Sequence, residues 1–209
     1  GIYNSELTEI NGDIYLVKWS GKVAVNETRD VIAAKSNGFS SGLYVFDETG
    51  RGEYVPGFTG VKAGTDGILY YYKDGKLGSG IYNNELAEIN GEIYLVKWSG
   101  KVAADEKRVI PADRANGVLV AGTYYFGTDG KLFTGVKKEA DGILYYYKDG
   151  KLGNGIYNSE LAEINGEIYL VKWSGKVAAN EERVIPANKA NGLLEAGTYY
   201  FGEDGKLQA

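Results

Sequence analysis

Apolar and polar positions interleave through Ile93-Tyr94-Leu95-Val96-Lys97-Trp98, so that Ile93, Leu95 and Lys97 face one side of a strand and Tyr94, Val96 and Trp98 the other. Asn90-Gly91 separates this run from Leu86 and Ile89 and predicts a hairpin, because a two-residue type I′ turn needs positive φ at both central positions. Ser99-Gly100 then turns the chain into Lys101-Val102-Ala103. Residues 93–102 recur unchanged at 14–23 and 168–177, within a longer frame Gly-Ile-Tyr-Asn-x-Glu-Leu-x-Glu-Ile-Asn-Gly that opens at Gly1, Gly80 and Gly155. Spacings of 79 and then 75 residues make this a repeat protein, with units 1–79, 80–154 and an incomplete 155–209 inside one domain, 1–209.

Each cycle has two further parts. Residues 104–132 pass from the charged Asp105-Glu106-Lys107-Arg108 through Val109-Ile110-Pro111-Ala112 and the turn-forming Asn116-Gly117. They reach the aromatic strand Gly122-Thr123-Tyr124-Tyr125-Phe126 and turn at Asp129-Gly130. Residues 133–154 carry Leu144-Tyr145-Tyr146-Tyr147 before the turn at Asp149-Gly150, and their earlier twin runs from Gly67 to Leu77. The first copy departs from the pattern with Thr28-Arg29-Asp30-Val31-Ile32, an outward-looking Phe39 and four extra residues near Arg51-Gly52-Glu53-Tyr54.

Every part thus reads as an aromatic strand, a Gly turn and a short return strand. No segment of ten residues carries apolar positions at helical spacing, so helix is expected to be nearly absent. Isolated hairpins are marginal in water and must lean on one another. The pattern therefore predicts an all-β, elongated solenoid of about eight stacked hairpins. A string of separate small sandwiches is the other arrangement, and the lack of Pro- or Ser-rich spacers speaks against it.

Composition narrows the function. Histidine, cysteine and methionine are absent, so imidazole, thiolate and disulfide chemistry have no residues to use, and no metal or cofactor is expected. Charges of both signs are interspersed at a net −5, which excludes a phosphate-tracking face and with it nucleic acid. No apolar run nears the ~20 residues that span a bilayer, so membrane insertion is not expected. Gly1 opens inside a repeat, which reads as an excised fragment, with any targeting signal missing from it. Acids such as Glu6, Glu85 and Glu160 occur in triplicate and describe a module where an enzyme would need a unique pair, so no catalysis is expected.

The run Thr123-Tyr124-Tyr125-Phe126-Gly127-Thr128-Asp129-Gly130-Lys131-Leu132-Phe133-Thr134-Gly135 resembles the cell-wall-binding or choline-binding repeat of Gram-positive surface proteins. It is similar as well to the glucan-binding repeats of glucansucrases and the receptor-binding repeats of clostridial toxins. Alternation of short units with longer ones such as 80–103 is most similar to the toxin arrangement. The resemblance implies a noncatalytic β-hairpin solenoid outside the bacterial cell, secreted or at its surface, attached to cell-wall polysaccharide or another glycan. The positions that build choline cages in that family hold Val61, Val136, Leu69, Leu144, Thr123 and Thr198 here. A quaternary ammonium needs an electron-rich box of rings, so a sugar surface is the better expectation.

The candidate ligand-binding residues are Trp19, Trp98, Trp173, Tyr82, Tyr157, Tyr72, Tyr147, Arg108 and Arg183. An indole can stack on the apolar face of a sugar, yet strand parity gives Trp98 the face of Tyr94 and Val96, which looks inward. Each Tyr triplet should expose at least one ring as its side chains alternate. Arg108 and Arg183 offer forks for a carboxylate or a hydroxyl pair, or surface ion pairs with Glu106 and Glu182. Lys97 reads as solvated, and Asp74, Asp129, Asp149 and Asp204 read as turn formers. The alternatives to glycan binding are a structural spacer and an adhesin repeat whose diverged first copy holds a host surface protein.

Overall fold

The computed structural model describes residues 5–64 and 66–208. The Gly1 opening of the first frame lies outside them. The described chain carries nineteen strands and no α-helix, with three-residue 3-10 turns at Ala33–Lys35, Ala112–Arg114 and Ala187–Lys189. The strands form eight small antiparallel sheets.

The chain divides into two compact units. The first, residues 1–105 with 110–121 and 128–131, begins with β1 (Glu6–Ile10) and β2 (Asp13–Val17). There follow β3 (Glu27–Val31), β4 (Gly42–Phe46) and β5 (Gly52–Tyr54), then β6 (Gly60–Ala63), β7 (Leu69–Lys73) and β8 (Lys76–Leu77), and then β9 (Glu85–Ile89) and β10 (Glu92–Val96). β11 (Glu106–Ile110) pairs with β12 (Gly122–Phe126). The second unit, residues 106–109 with 122–127 and 132–209, carries β13 (Gly135–Lys138), β14 (Leu144–Lys148) and β15 (Lys151–Leu152). It ends with β16 (Glu160–Ile164), β17 (Glu167–Val171), β18 (Glu181–Ile185) and β19 (Gly197–Phe201).

Turn chemistry sets the registers. Asn11, Asn90 and Asn165 take φ of 55°, 54° and 53°, each followed by a glycine at positive φ. Ile10 accordingly opposes Asp13, Ile89 opposes Glu92 and Ile164 opposes Glu167 across two-residue loops. Asp74 and Asp149 do the same between β7 and β8 and between β14 and β15.

A two-stranded hairpin is stable here because both of its faces are covered. On β16–β17, Ala162, Ile164, Tyr169 and Val171 enter one core with Leu144 and Tyr146, while Leu161 and Leu170 enter another with Ile185 and Phe201. Period-2 alternation divides the strand between two cores, so Ile-Tyr-Leu-Val is apolar throughout. Small cores of the same kind join β1–β2 to β3–β5 and β6–β7 to β9–β10. This is an all-β solenoid of stacked hairpins.

Successive hairpins are also tied by backbone. Tyr94 forms an antiparallel bridge with Lys131, Tyr145 with Lys176, and Tyr169 with Lys206. The Leu43 amide donates to the Gly75 carbonyl at 2.7 Å and the Val177 amide to Leu144 at 2.9 Å.

The four extra residues of the first copy build β5, which adds a third strand to β3–β4 and sets Tyr54 against Tyr44 at 5.3 Å. Phe39 is half-buried against this core, not displayed at the surface, in a turn where its amide donates to the Ser36 carbonyl at 2.9 Å.

Candidate functional site

β10 ends at Val96, and the next four residues are a turn in which the Gly100 amide donates to the Lys97 carbonyl and the Lys97 amide to Lys101, both at 2.8 Å. Strand parity therefore stops before the tryptophan, and the expected inward face for Trp98 is corrected. The same bonds recur around Lys18 and Lys172. Trp19, Trp98 and Trp173 are 63%, 61% and 59% exposed, against a core that buries most other large rings.

These indoles are held in place. A Cβ built on Gly80, at φ +80°, would lie 3.3 Å from the Trp98 ring, and the Gly80 amide donates to the Trp98 carbonyl at 2.7 Å. Gly155 serves Trp173 in the same way. The benzo part of the Trp98 and Trp173 rings rests on bare backbone, leaving the rest of each indole to solvent as a fixed apolar platform.

A Lys–Glu–Arg cluster accompanies the turn. Lys18 Nζ lies 2.6 Å and Arg29 Nη2 2.8 Å from the Glu27 carboxylate. In the second unit Lys172 and Arg183 meet Glu181 at 2.7 and 2.6 Å, and Arg108 lies 3.3 Å from Glu106. Arg183 thus pairs with Glu181 and not with Glu182, because residues two apart share a strand face. The lysine before the tryptophan, expected to be merely solvated, is an ion-pair partner in the first and third copies. Nine residues separate Lys18 from Glu27, and only the recurrence of both in each cycle marks them in the sequence.

In the first unit Trp19, Lys18, Arg29, Asp30, Ile32 and Lys35 line one groove of about 560 Å³. In the second, Trp173 adjoins Lys172, which reaches Arg183 through Glu181. Tyr82 and Tyr157 are half-buried, with their rings 5.3 and 5.5 Å from Tyr71 and Tyr146, and serve the cores more than the surface.

The expectation of an exposed ring in each Tyr triplet is corrected. Tyr72 and Tyr147 are buried, as are Tyr71 and Tyr146, and Tyr70 and Tyr145 are half-buried, because neighbouring segments cover both faces of the strand. Burial, with the nearby Asp30 adding to it, pushes the Tyr72 hydroxyl up to about 12.

Tyr147 does border a second, smaller groove of about 380 Å³ with Lys107, Glu139, Asp141 and Tyr145. Its hydroxyl donates to Glu139 Oε1 at 2.7 Å, and Lys107 Nζ lies 3.1 Å from Glu139 Oε2. Burial raises the Glu139 carboxyl, but the Tyr147 hydroxyl and Lys107 outweigh it and hold the group below the ordinary range. Asp141 is lowered too, chiefly by the Ile143 amide that donates to it. Both acids therefore stand as carboxylates able to accept from hydroxyls.

A third groove, of about 660 Å³, contains the cage positions Val136 and Leu144 beside Tyr169, with Lys138, Asp204 and Lys206 at its edge. One ring among aliphatic side chains is not a box for a quaternary ammonium.

No protein-family model matches the chain, and no curated protein matches its sequence. Among solved structures the chain is similar to alternansucrase in complex with isomaltononaose, at 17% identity and a TM-score of 0.48. That match covers 98% of this chain and 15% of the alternansucrase. It is similar to the modular autolysin LytC from Streptococcus pneumoniae in complex with a synthetic peptidoglycan ligand, at 18% identity and a TM-score of 0.36. Here 98% of this chain and 46% of the autolysin are covered. The choline-binding domain of CbpL from Streptococcus pneumoniae matches at 18% identity and a TM-score of 0.30, over 99% of this chain and 98% of that one. The likeness lies in the course of the backbone.

Proposed function

We propose that this chain is a noncatalytic glycan-binding module of an extracellular bacterial protein, attaching to cell-wall polysaccharide or another glycan through its three tryptophan turns. The observation that carries this reading is the exposure of Trp19, Trp98 and Trp173. A single exposed apolar ring is ordinary, but here the same ring is displayed in the same turn three times. Sugars offer an apolar ring face edged with hydroxyls, which an indole beside amine and guanidinium donors complements. Repetition adds avidity on a polymer, since a second weak contact forms at high effective concentration.

The test is affinity electrophoresis and calorimetry against a panel that includes isomalto-oligosaccharides, peptidoglycan fragments and isolated wall polysaccharides. The unaltered chain is expected to be retained by at least one of them. Each Trp→Ala replacement should weaken binding by roughly 2 kcal/mol, the scale of an aromatic hot spot, and the triple variant should bind nothing. Absence of retention on every glycan overturns the reading.

A further inference from the structure

The glycan reading above leaves the sugar open, and the charges around the tryptophans narrow it. In the first unit the Glu27 side chain is 8% exposed, whereas those of Lys18 and Arg29, which share it, are 34% and 42% exposed. The carboxylate lies beneath and the two cations lie outward, so the cluster carries a net single positive charge whose donors face the groove. The other charges lining that groove are already engaged: Lys35 lies 3.7 Å from Glu6, and the Asp30 carboxylate accepts from the Leu77 amide close to Lys76. In the second unit Lys172 and Arg183 likewise share Glu181 beside Trp173, with that carboxylate 27% exposed and so less covered than Glu27, and Lys189 is engaged by Glu160 at 3.1 Å. In a chain with a net charge of −5, each of these two clusters by itself thus holds two cations to one carboxylate beside an exposed indole.

We infer that the Trp19 and Trp173 turns recognise anionic glycans, in which a sugar ring stacks on the indole and its carboxylate or phosphate is received by the Lys and Arg that share the glutamate. Ile32 lies in the first groove next to these donors, and gives that copy an apolar contact for an alkyl or acyl substituent. An arginine already fixed by one carboxylate keeps further N–H donors free in its planar fork, and little side-chain freedom is lost when a second anion arrives. The attraction is that of a surface site and falls as salt is added.

The inference rests on the glycan-binding reading, and the experiment separates the two. Binding of the unaltered chain is measured to polygalacturonate, to its methyl ester, to a glycosylated poly(glycerol phosphate) and to a neutral isomalto-oligosaccharide. The free acid or the phosphate polymer is expected to bind about tenfold tighter than the ester or the neutral sugar at low salt, as for hydrogen bonds to a charged group. Preference for one anionic polymer over the other identifies the source of the charge. Arg183→Gln with Arg29→Gln should weaken binding of the anionic polymers about tenfold more than binding of the neutral sugar, as read on variants confirmed folded by thermal unfolding, and Arg183→Lys with Arg29→Lys should restore part of the preference. Equal binding to acid and ester overturns this inference and leaves the glycan reading in place. No binding to any of the four or to the wider panel overturns both.

Discussion

Trp173 and Gly155 hold each other twice: the Gly155 amide donates to the Trp173 carbonyl at 2.8 Å, and a Cβ on that glycine would come within 3.2 Å of the indole. Gly166 has nearly the same backbone, φ +81° against +79°, with nothing within 4 Å of its Cβ position. Alanine at either site bears the left-handed strain of about 1–2 kcal/mol, but only Gly155→Ala also pushes the ring. Gly155→Ala is therefore expected to unfold at a lower temperature than Gly166→Ala. It should also alter Trp173 fluorescence in a background with Trp19 and Trp98 replaced by Phe. Matching losses and unchanged emission would show that the glycine does not seat the indole.

Asn191 lies at φ +51° and its Nδ2 donates to the Leu161 carbonyl at 2.7 Å, tying the turn of one hairpin to a strand of another. Asn191→Gly keeps the conformation and removes the bond, for a loss of about 1 kcal/mol. Asn191→Ala forfeits both and should lose about 1 kcal/mol more. Urea unfolding of the two variants measures the increments, and a glycine variant weaker than the alanine one would refute this division.

Local geometry was legible in the sequence where a short-range rule governs it. Asn-Gly and Asp-Gly turns stand where positive φ demands them, and Tyr94 and Val96 share a face as the alternation requires. The alternation misled at Trp98, since it holds only while the strand continues, and the turn from Lys97 resets the direction of the next side chain. It misled again at Tyr72 and Tyr147, because parity gives a side and not the cover on that side, which comes from neighbouring segments. Lys18, Glu27 and Arg29 escaped notice for a similar reason: the acid is nine residues from the lysine, and only folding brings the two cations onto one carboxylate.

Burial, reinforced by ring neighbours, raises the Tyr71 and Tyr146 hydroxyls to about 12, as it does Tyr72. Their neutral forms are thus favoured in the folded chain over the unfolded, whose tyrosines titrate near 10. The resulting stability is complete below about pH 10 and is lost as pH rises toward 12. Absorbance titration is expected to show a late group of tyrosines, diminished in Tyr146→Phe, and unfolding temperature should drop across the same window. Titration of all tyrosines in one step near 10 would contradict their burial.

Glu139 supplies the opposite limb. Its carboxyl is lowered in the folded chain despite burial, because Tyr147 donates to one oxygen and Lys107 approaches the other. A depressed carboxylate stabilises the fold above its ordinary value of 4.5, and that stability disappears as pH falls through the lower folded value. The groove is open to water and the lysine half-exposed, so the ion pair is worth at most about 1 kcal/mol. Glu139→Gln should therefore lower the unfolding temperature slightly at pH 7 and leave it unchanged near pH 3, flattening the acid limb of the stability curve. Tyr147→Phe, which removes the shorter bond and keeps the buried ring, should flatten that limb in part. An acid limb identical in all three proteins would show that Glu139 does not feel Tyr147 and Lys107 in solution. Equal destabilisation of Glu139→Gln at both pH values would place its contribution in packing instead of charge.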